Sequence, residues 1–345
     1  MTNLDHARQI QVDSHRTLSR YVDGRCFSNI ERLLWNRRWS GILCRQHAPS
    51  VIESHITFIA SKESFNAPTC TTSLSVESYG GGNRNVLDLM CFLETELSDQ
   101  LLGAYVHGSL GCGEEVPYSD FDVLMIFRDS VFDSVDSLAN TAERAIDARR
   151  FLWNHDPLQH HGFLVLRESD LGCYPDMLFP RVLFEHSRSL LRHGGRLRVV
   201  GTTRTSEMKR PLLAMLASIE RRIERGKRPR SEFELKVLVS QLLLLPCLIL
   251  QAVDRAVFKR ESFLAASGLF EPQDWRAIGT ASEIRSRWIR RVNRWPWRRH
   301  PFWAMIVHAK MGKRIAPGIA VLLNEEFYVD IQRFMSAIRR RLGAR

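Results

Sequence analysis

Cysteine is scarce and poorly placed for chemistry in this 345-residue chain. The seven (Cys26, Cys44, Cys70, Cys91, Cys112, Cys173 and Cys247) are scattered, and no two form a Cys-x-x-Cys pair. That argues against a zinc site and against a disulfide framework. Residues 1–20 are polar with mixed charge and lack the apolar centre of a signal peptide, so a reducing cytoplasm is the expected compartment. A long apolar run is also missing. One uncharged stretch invites a membrane reading, 237–253 with Leu242, Leu243, Leu244 and Leu245, but it is short for a span. It also carries Ser240, Gln241, Gln251 and a central Pro246, which predicts a helix buried among other helices. No convincing repeat runs along the chain. Acidic residues are in deficit, 38 Asp and Glu against 49 Lys and Arg, leaving a formal charge of +11. With 44% hydrophobic residues the chain can bury a sizeable core, and two domains are the natural expectation at this length.

What the chain does contain is concentrated around residues 101–127. An apolar run from Leu101 to Val106 leads through His107 into Gly108, Ser109, Leu110, Gly111, Cys112 and Gly113. After 114–118 come Ser119, Asp120, Phe121 and Asp122, then the apolar run Val123 to Phe127. Gly108 permits a sharp turn and the close approach of a bulky anion, and Ser109 offers a hydroxyl and an N–H. On extended backbone the Asp120 and Asp122 side chains share one side, while Phe121 and Val123 point to the core. Two adjacent like charges raise one another's pKa unless a cation lies between them. The pair therefore points to a hard divalent ion with oxygen ligands, with Mg²⁺ the expected one. Gly-Ser alone is a common turn and Asp-x-Asp alone a common solvated strand end. Together, between two apolar strands, they point to phosphoryl chemistry, in which a carboxylate-held metal clamps the attacking and leaving oxygens.

This arrangement resembles the signature of the DNA polymerase beta-like nucleotidyltransferase superfamily. Gly108 and Ser109 fall on that family's Gly-Ser, Gly113 on the glycine that often follows, Ser119 and Asp120 on its Ser-Asp, and Asp122 on its second acid. His107 stands where the family usually has an apolar residue. The resemblance implies transfer of an NMP group from an NTP, expected to be ATP, to an acceptor hydroxyl with release of pyrophosphate. Up to two Mg²⁺ ions would be held by Asp120 and Asp122, and the nucleotide by Gly108, Ser109 and Ser119. A third carboxylate normally comes from a later strand. The next apolar run, 161–168, has no acid in its first half, and His160 and His161 stand there instead. His161 is a candidate to accept the proton of the attacking hydroxyl; ordinary packing of a strand-entry histidine pair is the alternative.

Around this motif, 86–97 reads as an amphipathic helix, 133–153 as the crossover helix and 161–168 as a third strand. Residues 30–39 suggest a helix and 51–60 a helix or strand, while 61–85, rich in Ser, Thr, Gly and Asn, reads as loop or linker. From about 206 helical patterns dominate, over 208–224, 232–253, 254–266, 271–295 and 325–342. The expected fold class is therefore α/β, more strictly α+β. Its parts are an N-terminal extension (1–84), a small mixed-sheet nucleotidyltransferase core (85–205) and an all-α bundle with a basic tail (206–345). That organisation is similar to kanamycin nucleotidyltransferase, whose helical part walls the metal site. By this analogy Lys236 and Ser240, one turn apart on an apolar helix, are candidates to bind the nucleotide, with Lys236 reaching a β- or γ-phosphate. The plainer alternative is a lysine lying along the helix start.

Basic residues cluster with aromatics between Arg285 and Arg299, among Trp288, Trp295 and Trp297, and again at Arg339, Arg340, Arg341 and Arg345. Such interleaving suits RNA. Equally, Ile284, Trp288, Val292 and Trp295 recur at helical spacing, which puts the tryptophans in a core and the arginines on a solvated face. The acceptor is thus open among a small molecule, a protein and RNA. Two other readings remain: a catalytically weak regulatory module of the same fold, and an RNA-directed nucleotide-adding enzyme.

Overall fold

The structure is a computed structural model and describes residues 69–343, apart from 134, 160–161, 175, 177–178, 193–194, 203–208, 224–227, 254 and 291–313. The expected helix at 30–39 and the segment at 51–60 lie outside the described residues, as do His160 and His161.

The chain is a mixed α/β structure followed by helices. β1 (Thr69–Val76) leads to α1 (Arg84–Glu96), β2 (Leu101–Val106), the short α2 (Gly108–Gly111) and β3 (Val123–Phe127). Next come α3 (Val135–His155), β4 (Leu164–Arg167), β5 (Arg188–Ser189) and β6 (Gly195–Thr202). The helical part comprises α4 (Arg210–Ile223), α5 (Glu232–Ala252), α6 (Lys259–Ser267), α7 (Pro272–Ser286), α8 (Pro317–Ala320) and α9 (Glu325–Arg341).

Four strands form the central sheet in the order β4-β3-β2-β5. β2 runs antiparallel to β3 and to β5, whereas β3 and β4 are parallel, joined by the α3 crossover that a parallel pair requires. β3 is buried along its whole length, which is why it reads as an unbroken apolar run. Its odd-numbered residues Val123, Met125 and Phe127 pack under α1 and α3 with Leu89, Leu93 and Leu152. Leu124 and Ile126 face the opposite way, onto Tyr105, Tyr174, Phe179, Leu197 and Val199. That second face is covered by a two-stranded sheet, β1 paired antiparallel with β6 from Thr69↔Thr202 to Val76↔Gly195.

β1 corrects the reading of 61–85 as loop, and it carries the α/β part upstream of residue 85. Its Thr and Ser content suggests a linker, yet Leu74 and Val76 alternate toward the core and the β-branched threonines suit a pleated surface. α1 starts two residues earlier than the apolar pattern implies because the Asn83 side chain caps it, accepting from Asn85 N–H.

In the helical part, α5 is the central element. Ser231 caps it and Glu232 and Glu234 occupy its first turn, as the sequence suggests. Most of α5 is buried, with Leu235, Val239, Leu242 and Leu245 fully enclosed, and α4, α6 and α7 pack against it. Among the described residues it is the helix long and apolar enough to cross a membrane, and its apolar surface is spent inside the protein. α7 is shorter than the expected 271–295: it ends at Ser286, and the backbone then brings Trp288 edge-on to Tyr118, ring centroids 5.1 Å apart. Three arginines of the basic tail lie within the helix expected over 325–342. Arg339, Arg340 and Arg341 form the last turn of α9, where cations offset the helix dipole. Arg339 holds Glu220 through two nitrogens, at 2.7 and 3.0 Å, and Arg341 lies over Phe270.

Candidate functional site

The loop between β2 and β3 is where the two halves of the molecule meet. Gly108 turns the chain with φ +66°, in the left-handed region that favours glycine. A Cβ there would lie 2.6 Å from Asp122 Oδ2, so the missing side chain is what lets the second carboxylate lie against the turn. The main chain makes the same connection: His107 N–H donates to Asp122 C=O at 3.0 Å, continuing the β2–β3 ladder beyond Val106↔Val123. Ser109 follows in the first turn of α2, where N–H groups have no partner within the helix.

Downstream, the loop is pinned at several points. Ser119 Oγ accepts from Val116 N–H at 2.9 Å, and Ser119 N–H returns to Val116 C=O. The Ser119 hydroxyl, expected to touch nucleotide, thus shapes the loop. Phe121 is fully buried and its backbone is bracketed by one side chain, Gln159, which accepts from its N–H and donates to its C=O. Burial alternates through this stretch, with Phe121 enclosed and Asp120 and Asp122 partly exposed.

Asp120 meets an unexpected partner. Lys236, from α5, is fully buried, and its Nζ lies 2.7 Å from Asp120 Oδ1 and 2.5 Å from Asp156 Oδ2. Asp156 follows the C-terminal end of α3, so three separate elements converge on one ammonium. Tyr118 closes the cluster: its ring lies 5.0 Å from the ammonium, and its hydroxyl bonds Lys236 C=O at 2.9 Å and Ser240 Oγ at 2.7 Å. Lys236 and Ser240 therefore share a helix face, as their spacing implies, and that face is turned to Tyr118 and the two carboxylates.

Electrostatics follow from burial. Burial pushes the Asp156 carboxyl up, to about 6, with Lys236 pulling it down and Asp120 adding to the rise. Burial works against the charge on Lys236, but Asp120 and Asp156 outweigh it and the ammonium is held above its ordinary value. Next to Asp156, buried His155 is lowered to about 4 by burial first, then by Arg290 and Lys236. It packs edge-on against Phe121 as a neutral ring.

Among the described residues no three His, Cys, Asp or Glu side chains gather as a metal-holding group. Asp120 and Asp122 nonetheless suit a hard divalent ion. Both are oxygen donors on one side of the strand entry, and the space that a Cβ at Gly108 would fill is taken by the Asp122 carboxylate. An ion arriving at Asp120 would meet an ammonium already in place.

Asp156, Gln159 and Tyr118 were not legible as site residues. The available signal was Asp156 itself, an acid at a helix C-terminus, where the dipole disfavours negative charge unless a cation is near. Two described arginines of the 285–299 cluster are engaged within the protein: Arg290 donates to Val116 C=O at 3.0 Å and Arg287 pairs with Glu283. Trp288 is buried in the helical core, as its spacing with Ile284 suggests. No family model matches this chain, and no curated protein matches it.

Proposed function

We propose that the chain is a nucleotidyltransferase that moves an NMP group from an NTP, with ATP as the first candidate, to an acceptor hydroxyl. The observation that carries this reading is the meeting of the Gly108-Ser109 turn with Asp122 in space, Gly108 having no side chain where the carboxylate lies. Helix, strand, Gly-Ser turn, paired acids, strand and crossover helix follow one another in the order a phosphate-holding turn and a metal-holding strand entry would need.

Asp120 and Asp122 would hold Mg²⁺, which supplies charge neutralisation at the α-phosphate and orients the attacking and leaving oxygens. The N–H groups and hydroxyl of Gly108 and Ser109 would hold the polyphosphate. The acceptor oxygen attacks the α-phosphorus as its bond to the bridging oxygen breaks and pyrophosphate leaves. The hydroxyl proton goes to a base, the role the sequence offers to His161. Gln159 and the β-ladder hold the backbone that carries the two carboxylates.

The second reading, a regulatory module of the same fold with little activity, is favoured by the ammonium already seated on Asp120. Transfer of label from α-phosphate-labelled NTPs into a fractionated cell extract separates the two. Label in one fraction, lost with Asp120→Asn and Asp122→Asn, is the expected result and names the acceptor as small molecule, protein or RNA. No label from the folded natural chain refutes the enzyme.

A further inference from the structure

The carboxylates of Asp120 and Asp156 come from segments 36 positions apart in sequence and end within hydrogen-bonding distance of one buried nitrogen. Two carboxylates converging in an enclosed place are unfavourable without a cation. Here the chain provides its own. Lys236 belongs to a helix whose buried face is otherwise almost wholly apolar, so its position there is explained by the acids it meets rather than by helix patterning.

We propose that Asp120 and Asp156 form a cation site whose resident occupant is the Lys236 ammonium, and that a divalent ion engages Asp120 only by displacing it. The inference rests on the reading of Asp120 and Asp122 as metal carboxylates and adds a competitor to it. The backbone around Lys236 is fixed on both sides, since Tyr118 is bonded to the Lys236 carbonyl and to Ser240. The side chain has four rotatable carbon bonds and a compact charge, so exchange requires movement of the side chain rather than of the helix. Metal loading is thereby tied to release of a contact between the strand entry and α5. The natural chain is in a latched state until an ion, or an ion carried by a nucleotide, competes for Asp120.

The test is a titration with Mn²⁺ alone, read by the loss of its free electron-paramagnetic-resonance signal. It compares the natural chain, Lys236→Met, and the double variant Lys236→Met with Asp156→Asn. The double variant replaces a buried charge pair with neutral groups of similar size and so protects against misfolding. Both variants should bind Mn²⁺ roughly tenfold or more tighter than the natural chain, and Asp122→Asn should remove the gain. Equal affinity in all three overturns the proposal. Binding by none of them overturns both the proposal and the metal role of Asp120 and Asp122. A measurement on the natural chain serves if the variants misfold: acetic anhydride should leave Lys236 unmodified without Mn²⁺ and acetylate it with Mn²⁺ present, and unchanged protection overturns the exchange. Competition without label transfer leaves this inference standing and removes the enzyme, whereas transfer with equal Mn²⁺ affinities does the reverse.

Discussion

Replacing Lys236 with methionine takes away the cation that Asp120 and Asp156 share. The ammonium is fully buried, and its partners' side chains are 13% and 8% exposed, so water can do little to replace it. Removing one member of such a buried group costs about 3–5 kcal/mol, because the remaining charge is left enclosed and unpaired. The chain has one way to relieve that cost, which is to protonate Asp156. Its carboxyl already stands at about 6 from burial, even with Lys236 pulling it down, and without the lysine it rises further. A carboxyl whose pKa is higher folded than unfolded contributes stability in acid that is lost as pH rises through the folded value. The variant's deficit is therefore largest near pH 8. It shrinks by up to about 1.4 kcal/mol per pH unit as Asp156 takes up its proton, then levels below about pH 6, where both chains titrate together. Urea unfolding followed by far-ultraviolet circular dichroism across this range reads the deficit from paired midpoints. A deficit at pH 8 below about 1 kcal/mol, the size of an exposed ion pair, refutes the reasoning, as does a deficit independent of pH.

Three further outcomes follow from the same geometry. Gly108→Ala places a Cβ on the Asp122 carboxylate and a side chain at φ +66°; it should cost about 1–2 kcal/mol from the backbone alone and eliminate nucleotidyl transfer, and a thermally unchanged, active variant contradicts this. Gln159→Leu leaves the buried Phe121 N–H and C=O without the side chain that bonds both; a loss of about 2–4 kcal/mol in chemical unfolding is expected, and a loss under about 0.5 kcal/mol contradicts it. His155 has a folded pKa lowered to about 4, so its contribution is full above its ordinary value of about 6.5 and is lost as pH falls toward 4, by up to about 3 kcal/mol. The difference in stability between the natural chain and His155→Leu should therefore narrow by that amount over this window, and a constant difference means that the ring is not held neutral.

Local patterns made much of the α/β part readable. The apolar strand at 123–127, the crossover helix before Asp156 and the cap at Ser231 each depend on residues a few positions apart, and propensity and spacing capture such relations. β1 escaped because a strand of threonine and serine is distinguished from a linker only by its partner, and that partner, β6, lies more than a hundred residues away. The end of α7 escaped for a related reason: helical spacing continues past Ser286, but Trp288 is drawn to Tyr118 in another part of the chain.

Spacing alone predicts that a glycine-serine turn is followed by two carboxylates on one side of a strand entry, because residues two apart on extended backbone share a face. It also determined that Lys236 and Ser240 share a helical face. What that face meets depends on how distant segments pack around it. Burial of α5 carries the Lys236 ammonium out of water, and an ion enclosed in this way must be paired. Asp120 and Asp156, distant from it and from each other in the chain, become its partners because the fold leaves the charge nowhere else to go.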